Sequence, residues 1–513
     1  MRPDEYEKFD WLGQAALVER RQAQPIELVE AAIALIESRN AALNAVVHTM
    51  YEKARATAEG LQTGDAPKSG DAAPAADAPF FGVPFLVKDA GAAVAGEPLT
   101  ASCRLLEHNV PERDSELVRR LRAAGLVIVA QTNTPELAAA AVTESKMRGP
   151  ARNPWDTGRT PGGSSGGSAA AVTAGMTPLA HGADGGGSLR IPGSCCGLFA
   201  LKPSRGRNPA AADDETWFGL AQEHVLTRSV RDSAALLDAA TGGGVPNGTP
   251  PPVRPFGEEV GADPGRLRIG FAFGSLFGRD THPDCRAAVA DAVELCRRLG
   301  HEAVEWFPPF PATDTRRAFL ALVIAGLAAS VTQAERLVGR EATGDDLEPG
   351  TWQLVRAGRD LPAAGLAAAR RRVRATARAV AAAMDVEGCD VLLTSTLAYP
   401  PLEVGAPGMG PDQWAAVREL DEGPDPARLL ELVDVYADRD TQFVGNTALF
   451  NATGQPAMSV PLFWNDGGLP IGVQFAGRYG DEASLFRLAG QLEQACPWFD
   501  CRPPRREAEA PVR

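Results

Sequence analysis

Lysine is scarce in this chain: of its 51 basic residues only six are lysines, at positions 8, 53, 68, 88, 146 and 202. Histidine is as rare, with six residues at 48, 108, 181, 224, 282 and 301 and no H-E-x-x-H pair among them. That excludes the usual helix-borne catalytic zinc site. The eight cysteines contain no C-x-x-C pair, so they read as reduced thiols and not as a disulfide framework or a zinc ribbon. Long apolar runs are missing too. The longest, Phe319 to Val331, falls short of the roughly 20 residues that cross a bilayer and reads as a buried helix. The N-terminus, Met1-Arg2-Pro3-Asp4-Glu5-Tyr6, lacks the apolar core of a signal peptide. Positive charge is in deficit: a formal charge of −14 disfavours a broad surface for nucleic acid or anionic membrane, since no counterion release would drive binding. The expectation is a soluble cytoplasmic protein with no nucleic-acid or membrane partner.

What the chain does have is an ordinary apolar fraction, 44 % of 513 residues. The length exceeds the roughly 100–200 residues of one ordinary domain, so several domains or one large α/β core both fit. The segment from Pro25 carries Leu28, Val29, Ala32, Ile33 and Ile36 on one helical face, with the proline in the first turn where its missing N–H costs nothing. A loop rich in Ala, Gly, Pro and Asp follows at about 61–79, then an apolar, strand-like segment from Phe80 to Val87 that ends in Lys88-Asp89. Helix and strand signals alternate from there. Helices are expected at 115–124, 165–175, 283–299 and 481–495, and strands at 126–130, 178–182, 267–273, 391–396, 457–463 and 472–477. Residues 243–265 read as a long connection, and 310–440 as mostly helical cover over one side of a sheet. The alternation argues for an α/β fold with helices on both faces.

Chemistry concentrates between Thr160 and Arg207, where two glycine-dense loops, Gly162–Gly167 and Gly185–Gly187, each present a serine. Glycine removes side-chain obstruction and lets backbone N–H groups face a ligand. Neither loop carries the G-K-[ST] ending of a P-loop. Gly162-Gly163-Ser164-Ser165-Gly166 matches G-x-S-x-G, but turn-forming residues precede it where a hydrolase elbow needs a strand. His181 lies near both loops; a lone histidine at a strand end reads first as a packed, hydrogen-bonded residue. Lys88 ends an apolar strand, where desolvation would favour the neutral amine and make it a base toward a hydroxyl. A strand-end lysine that snorkels to solvent fits the same local sequence.

GGSSGG, followed by GADGGGSLRIP and CCGLFALKPSRGR, resembles the amidase-signature family, as do FFGVPFLVKD around Lys88 and GQPAMSVPLFWNDGGLPIGVQFAGR near the end. The likeness extends through almost the whole chain. It implies an α/β/α fold with a central mixed, twisted sheet flanked by helices, as a single domain over 1–513. Within it the N-terminal helices take 1–60, the catalytic core 80–242, further strands and helical cover 266–440, and a C-terminal core segment 441–500. The family's catalytic lysine falls on Lys88, its bridging serine, which follows a cis peptide, on Ser164, and its nucleophile on Ser188. Its oxyanion hole falls on the backbone of Gly185, Gly186, Gly187 and Ser188. The three side chains are expected to form one continuous hydrogen-bonded chain. The implied activity is hydrolysis of a small-molecule carboxamide through an acyl-enzyme on Ser188, with neither metal nor other cofactor. An acyltransferase using the same acyl-enzyme, or a catalytically silent assembly subunit, are the alternatives. Dimers are common in similar enzymes, so a homodimer is the oligomeric state to test. Ala183 stands where many members have threonine, and Gly193 and Ala200 also depart from the commoner wording, which leaves substrate identity open. Asp184 is expected to orient the loop. The DGGGS and SCCGL wording is closest in flavour to bacterial hydrolases of small amides, including the 6-aminohexanoate-cyclic-dimer type. Trp217-Phe218, Tyr399-Pro400 and Phe443 to Asn446 serve equally as pocket walls or as core.

Overall fold

The computed structural model describes residues 1–63, 78–209, 216–241, 249–278, 280–406 and 443–504. Its strands in chain order are β1 Val46–Thr49, β2 Pro84–Lys88, β3 Val127–Thr132, β4 Glu144–Ser145, β5 Gly149–Pro150, β6 Leu179–Asp184, β7 Phe199–Lys202, β8 Gln222–Thr227, β9 Arg268–Phe271, β10 Glu302–Glu305, β11 Val391–Ser395, β12 Ala457–Trp464 and β13 Pro470–Ala476. β4 and β5 pair with each other; the other eleven form one sheet in the order β1-β3-β2-β6-β8-β7-β12-β13-β11-β9-β10. β3, β2 and β6 run parallel, as do β11, β9 and β10, and antiparallel pairs join these two blocks through the middle. The sheet is mixed and flanked by helices, as the α/β reading anticipates.

Local sequence accounts for most elements. Pro25 opens the helix Pro25–Leu43, with Gln24 and Glu27 forming a reciprocal cap. The predicted apolar face is buried, and Ala31 and Leu35 join it, because the helix is packed on two sides. Ser115 caps Glu116–Ala123 and Asp481 caps Glu482–Ala495, each accepting from a backbone N–H of the first turn. β2, β3 and β11 are buried along their whole length. That is the reason they read as continuous apolar runs without alternation.

Three departures from the sequence reading concern the site. β7 and β8 lie near the centre of the sheet, yet no strand is expected at either. β8 reads Gln-Glu-His-Val-Leu-Thr and is nonetheless wholly buried; Glu223 meets His181 of β6, Gln222 accepts from the Gly206 amide and His224 pairs with Ser233, none of which hydrophobic periodicity registers. The apolar run Phe319–Val331 belongs to a 27-residue helix, Ala312–Val338, which by length and composition could cross a membrane. It packs here against helices Pro349–Arg359 and Ala363–Glu387 and the short turns at 104–106 and 216–219. Among the described residues of 310–440, the end of Ala363–Glu387 reaches the sheet, where Val380 and Met384 meet Leu392, Ala457 and Ala476. The remaining part of that span, 407–440, lies outside the described residues, as do 64–77 of the expected loop and 243–248 of the long connection.

β8 runs into the helix Val230–Ala240, whose start is tied to the N-terminal segment by a carboxylate cluster. Asp10 holds Arg231 through two 2.5 Å contacts, and Asp232 accepts from the Trp11 and Leu12 amides at 2.8 and 3.0 Å. Glu493 accepts from the Val230 amide at 3.1 Å. Burial first, and the nearby Asp10 second, push the Glu493 carboxyl up to about 7. A carboxyl raised in the folded state contributes stability that is complete below its unfolded pKa of about 4.3 and is lost as pH climbs through the folded value. Glu493→Gln keeps an acceptor for Val230 and removes the charge. Its melting temperature relative to the parent should therefore rise between about pH 4 and pH 8, gaining a few degrees at the upper end. A difference independent of pH in thermal melts would rule out this charge as the cause.

Candidate active site

Lys88 is the last residue of β2, enclosed by β3 and β6, and is fully buried. Crevices at the C-terminal ends of parallel strands are where α/β sheets place ligands. Snorkelling to solvent does not occur: the amine points at the first glycine loop, where Nζ donates to Ser164 Oγ at 2.6 Å and to Ser165 Oγ at 3.1 Å. Desolvation by burial lowers the Lys88 pKa to about 8, against the opposing pull of Glu223 and Asp184.

The first loop has no slack. The Gly163–Ser164 peptide is cis, as the family resemblance implies. A Cβ on Gly163 would lie 2.6 Å from the Val142 backbone, so a side chain there would displace the turn. Thr143 Oγ1 donates to Gly162 C=O at 2.9 Å and accepts from Gly166 N–H at 3.1 Å, closing the loop from below. Ser165 was not singled out by the sequence reading. Its hydroxyl meets Lys88 on one side and the Ala183 backbone at 3.3 Å on the other, joining the lysine to the end of β6. The adjacent serines Ser164-Ser165 were the available signal.

β6 ends at Asp184 and leads into Gly185–Ser188. The loop is pinned by a buried ion pair. Arg190 Nε and Nη2 donate to the two Asp184 oxygens at 2.9 Å each, while Asp184 also accepts from the Leu189 amide at 3.2 Å. Arg190 further donates to Thr447 C=O (2.9 Å), Gln474 Oε1 (2.8 Å) and Asn451 Oδ1 (2.6 Å). Asp184 thus orients the loop, as expected, and its carboxyl is held down at about 2 by Arg190 despite burial. Thr447 Oγ1 donates to Gly186 C=O at 2.6 Å. Gly187 has φ +137°, and a Cβ on it would lie 2.3 Å from Thr447 Oγ1; only glycine fits. Thr447, Asn451 and Gln474 come from the far end of the chain, and no local pattern marks them.

The two serine segments meet through the backbone, Ser165 N–H donating to Ser188 C=O at 3.3 Å. Among the described residues no hydrogen bond joins the Ser188 hydroxyl to Ser164, so the expected chain is continuous from Lys88 to Ser164 only. A serine hydroxyl turns about one single bond, and catalytic contacts commonly tighten when substrate binds. The candidate pocket walls divide. Trp217 stacks so close to Gly185 that a Cβ there would lie 2.9 Å from its ring, and Phe319, not anticipated, lies over Gly186. Phe443 and Val444 are buried in the core and Tyr399 packs at its margin. Among the described residues no three His, Cys, Asp or Glu side chains group to hold a metal, and all eight cysteines are free.

The family model for Amidase matches residues 27–486. The chain belongs to the amidase family. It is 35 % identical over 507 residues to the 6-aminohexanoate-cyclic-dimer hydrolase of Paenarthrobacter ureafaciens, covering 96 % of both chains. A solved structure of 6-aminohexanoate cyclic dimer hydrolase complexed with substrate superposes with a TM-score of 0.83 at 33 % identity, covering 96 % of this chain and 98 % of that one. A bacterial aryl acylamidase of the amidase-signature family gives 0.78 at 26 % identity, with 97 % and 99 % covered. This amidase is accordingly an amide C–N hydrolase with the amidase-signature fold.

The ion pair beneath the Ser188 loop gives a direct test. Arg190→Met leaves Asp184 buried and unpaired, which should cost about 3–5 kcal/mol in denaturant unfolding at neutral pH. The cost should shrink on acidification, once Asp184 takes up a proton. A loss below about 1 kcal/mol would mean that the pair is not what holds this loop.

Proposed function

We propose that this amidase hydrolyses a small carboxamide through an acyl-enzyme on Ser188, with Ser164 and Lys88 as its proton relay. The observation that carries the reading is the buried Lys88 amine, 2.6 Å from Ser164 Oγ, beside the glycine loop that bears Ser188. As a neutral amine, Lys88 accepts the Ser164 proton while Ser164 takes the proton of Ser188. Ser188 Oγ bonds to the amide carbon, and the oxyanion draws on backbone N–H groups within Gly185, Gly186, Gly187 and Ser188. Each such donor is worth roughly 3 kcal/mol in comparable sites. The relay returns the proton to the nitrogen as the C–N bond breaks. Water then attacks the ester by the same route, releasing the acid and restoring Ser188.

Burial is what makes a lysine usable near neutrality. An amine at the ordinary value of about 10.4 would be almost wholly protonated at pH 7, whereas desolvation brings Lys88 to about 8. The one-domain reading, with all parts of the chain serving this site, rests on the single eleven-stranded sheet. Small linear or cyclic amides are the substrates to test, 6-aminohexanoate cyclic dimer and aryl acylamides first, since relatives are named a 6-aminohexanoate-cyclic-dimer hydrolase and an aryl acylamidase.

The reading predicts that kcat/KM on an amide rises with pH through a limb near 8 and that Lys88→Ala abolishes the limb. Ser188→Ala and Lys88→Ala should each lower amide turnover by roughly 10³-fold or more. Lys88→Arg should be as poor as alanine, because guanidinium keeps its proton. A fluorophosphonate probe should label Ser188, as read by peptide mass spectrometry. Near-normal amide turnover in Lys88→Arg would remove Lys88 from the relay, and labelling at another serine would remove Ser188.

A further inference from the structure

Beneath Lys88 lies a buried pair that the relay does not use. His181 is on β6 and Glu223 on β8, and the strand register sets His181 opposite Val225 and Ala183 opposite Glu223. The two side chains therefore share one face of the sheet as diagonal neighbours. His181 is fully buried and Glu223 is 6 % exposed. The Lys88 backbone N–H donates to His181 Nδ1 at 3.3 Å, and His181 Nε2 lies 2.5 Å from Glu223 Oε2. A nitrogen that accepts from an amide carries no proton, so the ring's proton is on Nε2 and is donated to the carboxylate. Both nitrogens are committed. His181 is thereby unavailable as a base for Ser188.

Both residues are held from the outside. Ser168 Oγ donates to His181 C=O at 2.7 Å and pairs with Thr132 Oγ1 at 2.6 Å. Asn208 Nδ2 donates to Glu223 C=O at 2.8 Å. The second oxygen of Glu223 rests on Gly91, just past Lys88-Asp89, where φ is +85° and a Cβ would lie 2.7 Å from Oε1. The turn leaving β2 is thus shaped around this carboxylate.

We infer that His181 and Glu223 are positioning residues for Lys88: Glu223 fixes the imidazole tautomer that receives the Lys88 amide, and its negative charge faces the ammonium formed when the relay delivers a proton. The inference rests on the proposed role of Lys88 as base. Two carboxylates act on the Lys88 amine, Glu223 first and Asp184 second, both favouring its charged form against desolvation. Asp184 is already matched by Arg190. Glu223 pairs only with the neutral His181 among the described residues, which leaves Lys88 as the cation it can serve. A buried charge next to a base is worth most at the moment that base is protonated, the part a carboxylate plays behind a catalytic histidine.

The test uses the full-length enzyme and a fluorophosphonate probe, following the labelling rate of Ser188 against pH, with thermal melts to show that each variant is folded. The parent should show a limb near pH 8. Glu223→Gln keeps an acceptor and loses the charge, so its limb should move down by roughly one pH unit and its plateau fall about tenfold. Glu223→Asp should leave the limb nearer the parent's. His181→Leu should slow labelling about tenfold, and His181→Asn, whose carbonyl can accept from Lys88 N–H, should recover most of that loss. A limb in Glu223→Gln at the parent's position, whatever the plateau, would reduce Glu223 to a structural role and overturn the inference. Equal rates in His181→Leu and the parent would do the same. If Lys88→Ala keeps the parent's limb, the proposed relay itself falls. If Lys88→Ala loses the limb while Glu223→Gln does not move it, the relay stands and this inference alone fails.

Discussion

An ammonium group shut away from water loses its hydration, and Lys88 is shut away completely. Its strand is enclosed between two others, β3 and β6, and the hydroxyls of Ser164 and Ser165 take its head. Desolvation is the largest influence on its proton affinity, ahead of either nearby carboxylate. This one constraint explains much of the surroundings. The strand before Lys88 must be apolar, because both its faces are covered. The turn after it must be glycine at 91, because Glu223 occupies the space a side chain would fill. The glycine loop must approach closely, because a lysine that cannot reach water needs oxygen partners delivered to it.

The second charged feature obeys the opposite rule. Asp184 and Arg190 are both wholly buried and in direct contact. Desolvating two ions is recovered only when geometry is good and the remaining donors are used. Here each is: five Arg190 contacts reach Asp184, Asn451, Gln474 and the Thr447 carbonyl. Because Thr447, Asn451 and Gln474 come from the last quarter of the chain, the Ser188 loop has its shape only when that part of the chain is in place. The pair ties the most distant part of the sequence to the chemistry.

Aromatic rings close the other side of that loop. Trp217 lies between Gly185 and Gly326, and Phe319 lies over Gly186. Gly326 and Phe319 both belong to the long helix Ala312–Val338. That helix is apolar for a reason other than burial under the sheet: it backs the rings that press on the glycine loop. A side chain at Gly185 would have to displace the Trp217 ring and one at Gly186 would crowd Phe319, so the lack of side chains along this loop serves packing as well as exposing backbone N–H groups.

Much of the site was readable from residue types and their order. A lysine ending an apolar strand, two glycine loops each with a serine, and their likeness to a known family pointed to Lys88, Ser164 and Ser188 as the residues of interest. The apolar strands were readable as well, since continuous burial leaves a continuous apolar run. Tertiary structure decided the rest. Whether Lys88 meets solvent or serine depended on which strands flank it, and the local sequence fitted both. His181 could have been a base or a packed residue until Glu223 and the Lys88 backbone were seen to occupy its two nitrogens. β8 escaped notice because its polar residues are buried on hydrogen-bond partners, Glu223 on His181 of β6 among them. Hydrophobic periodicity records how a segment meets water. It carries no record of which distant donor a buried acceptor meets, since that follows from the order in which strands assemble into the sheet.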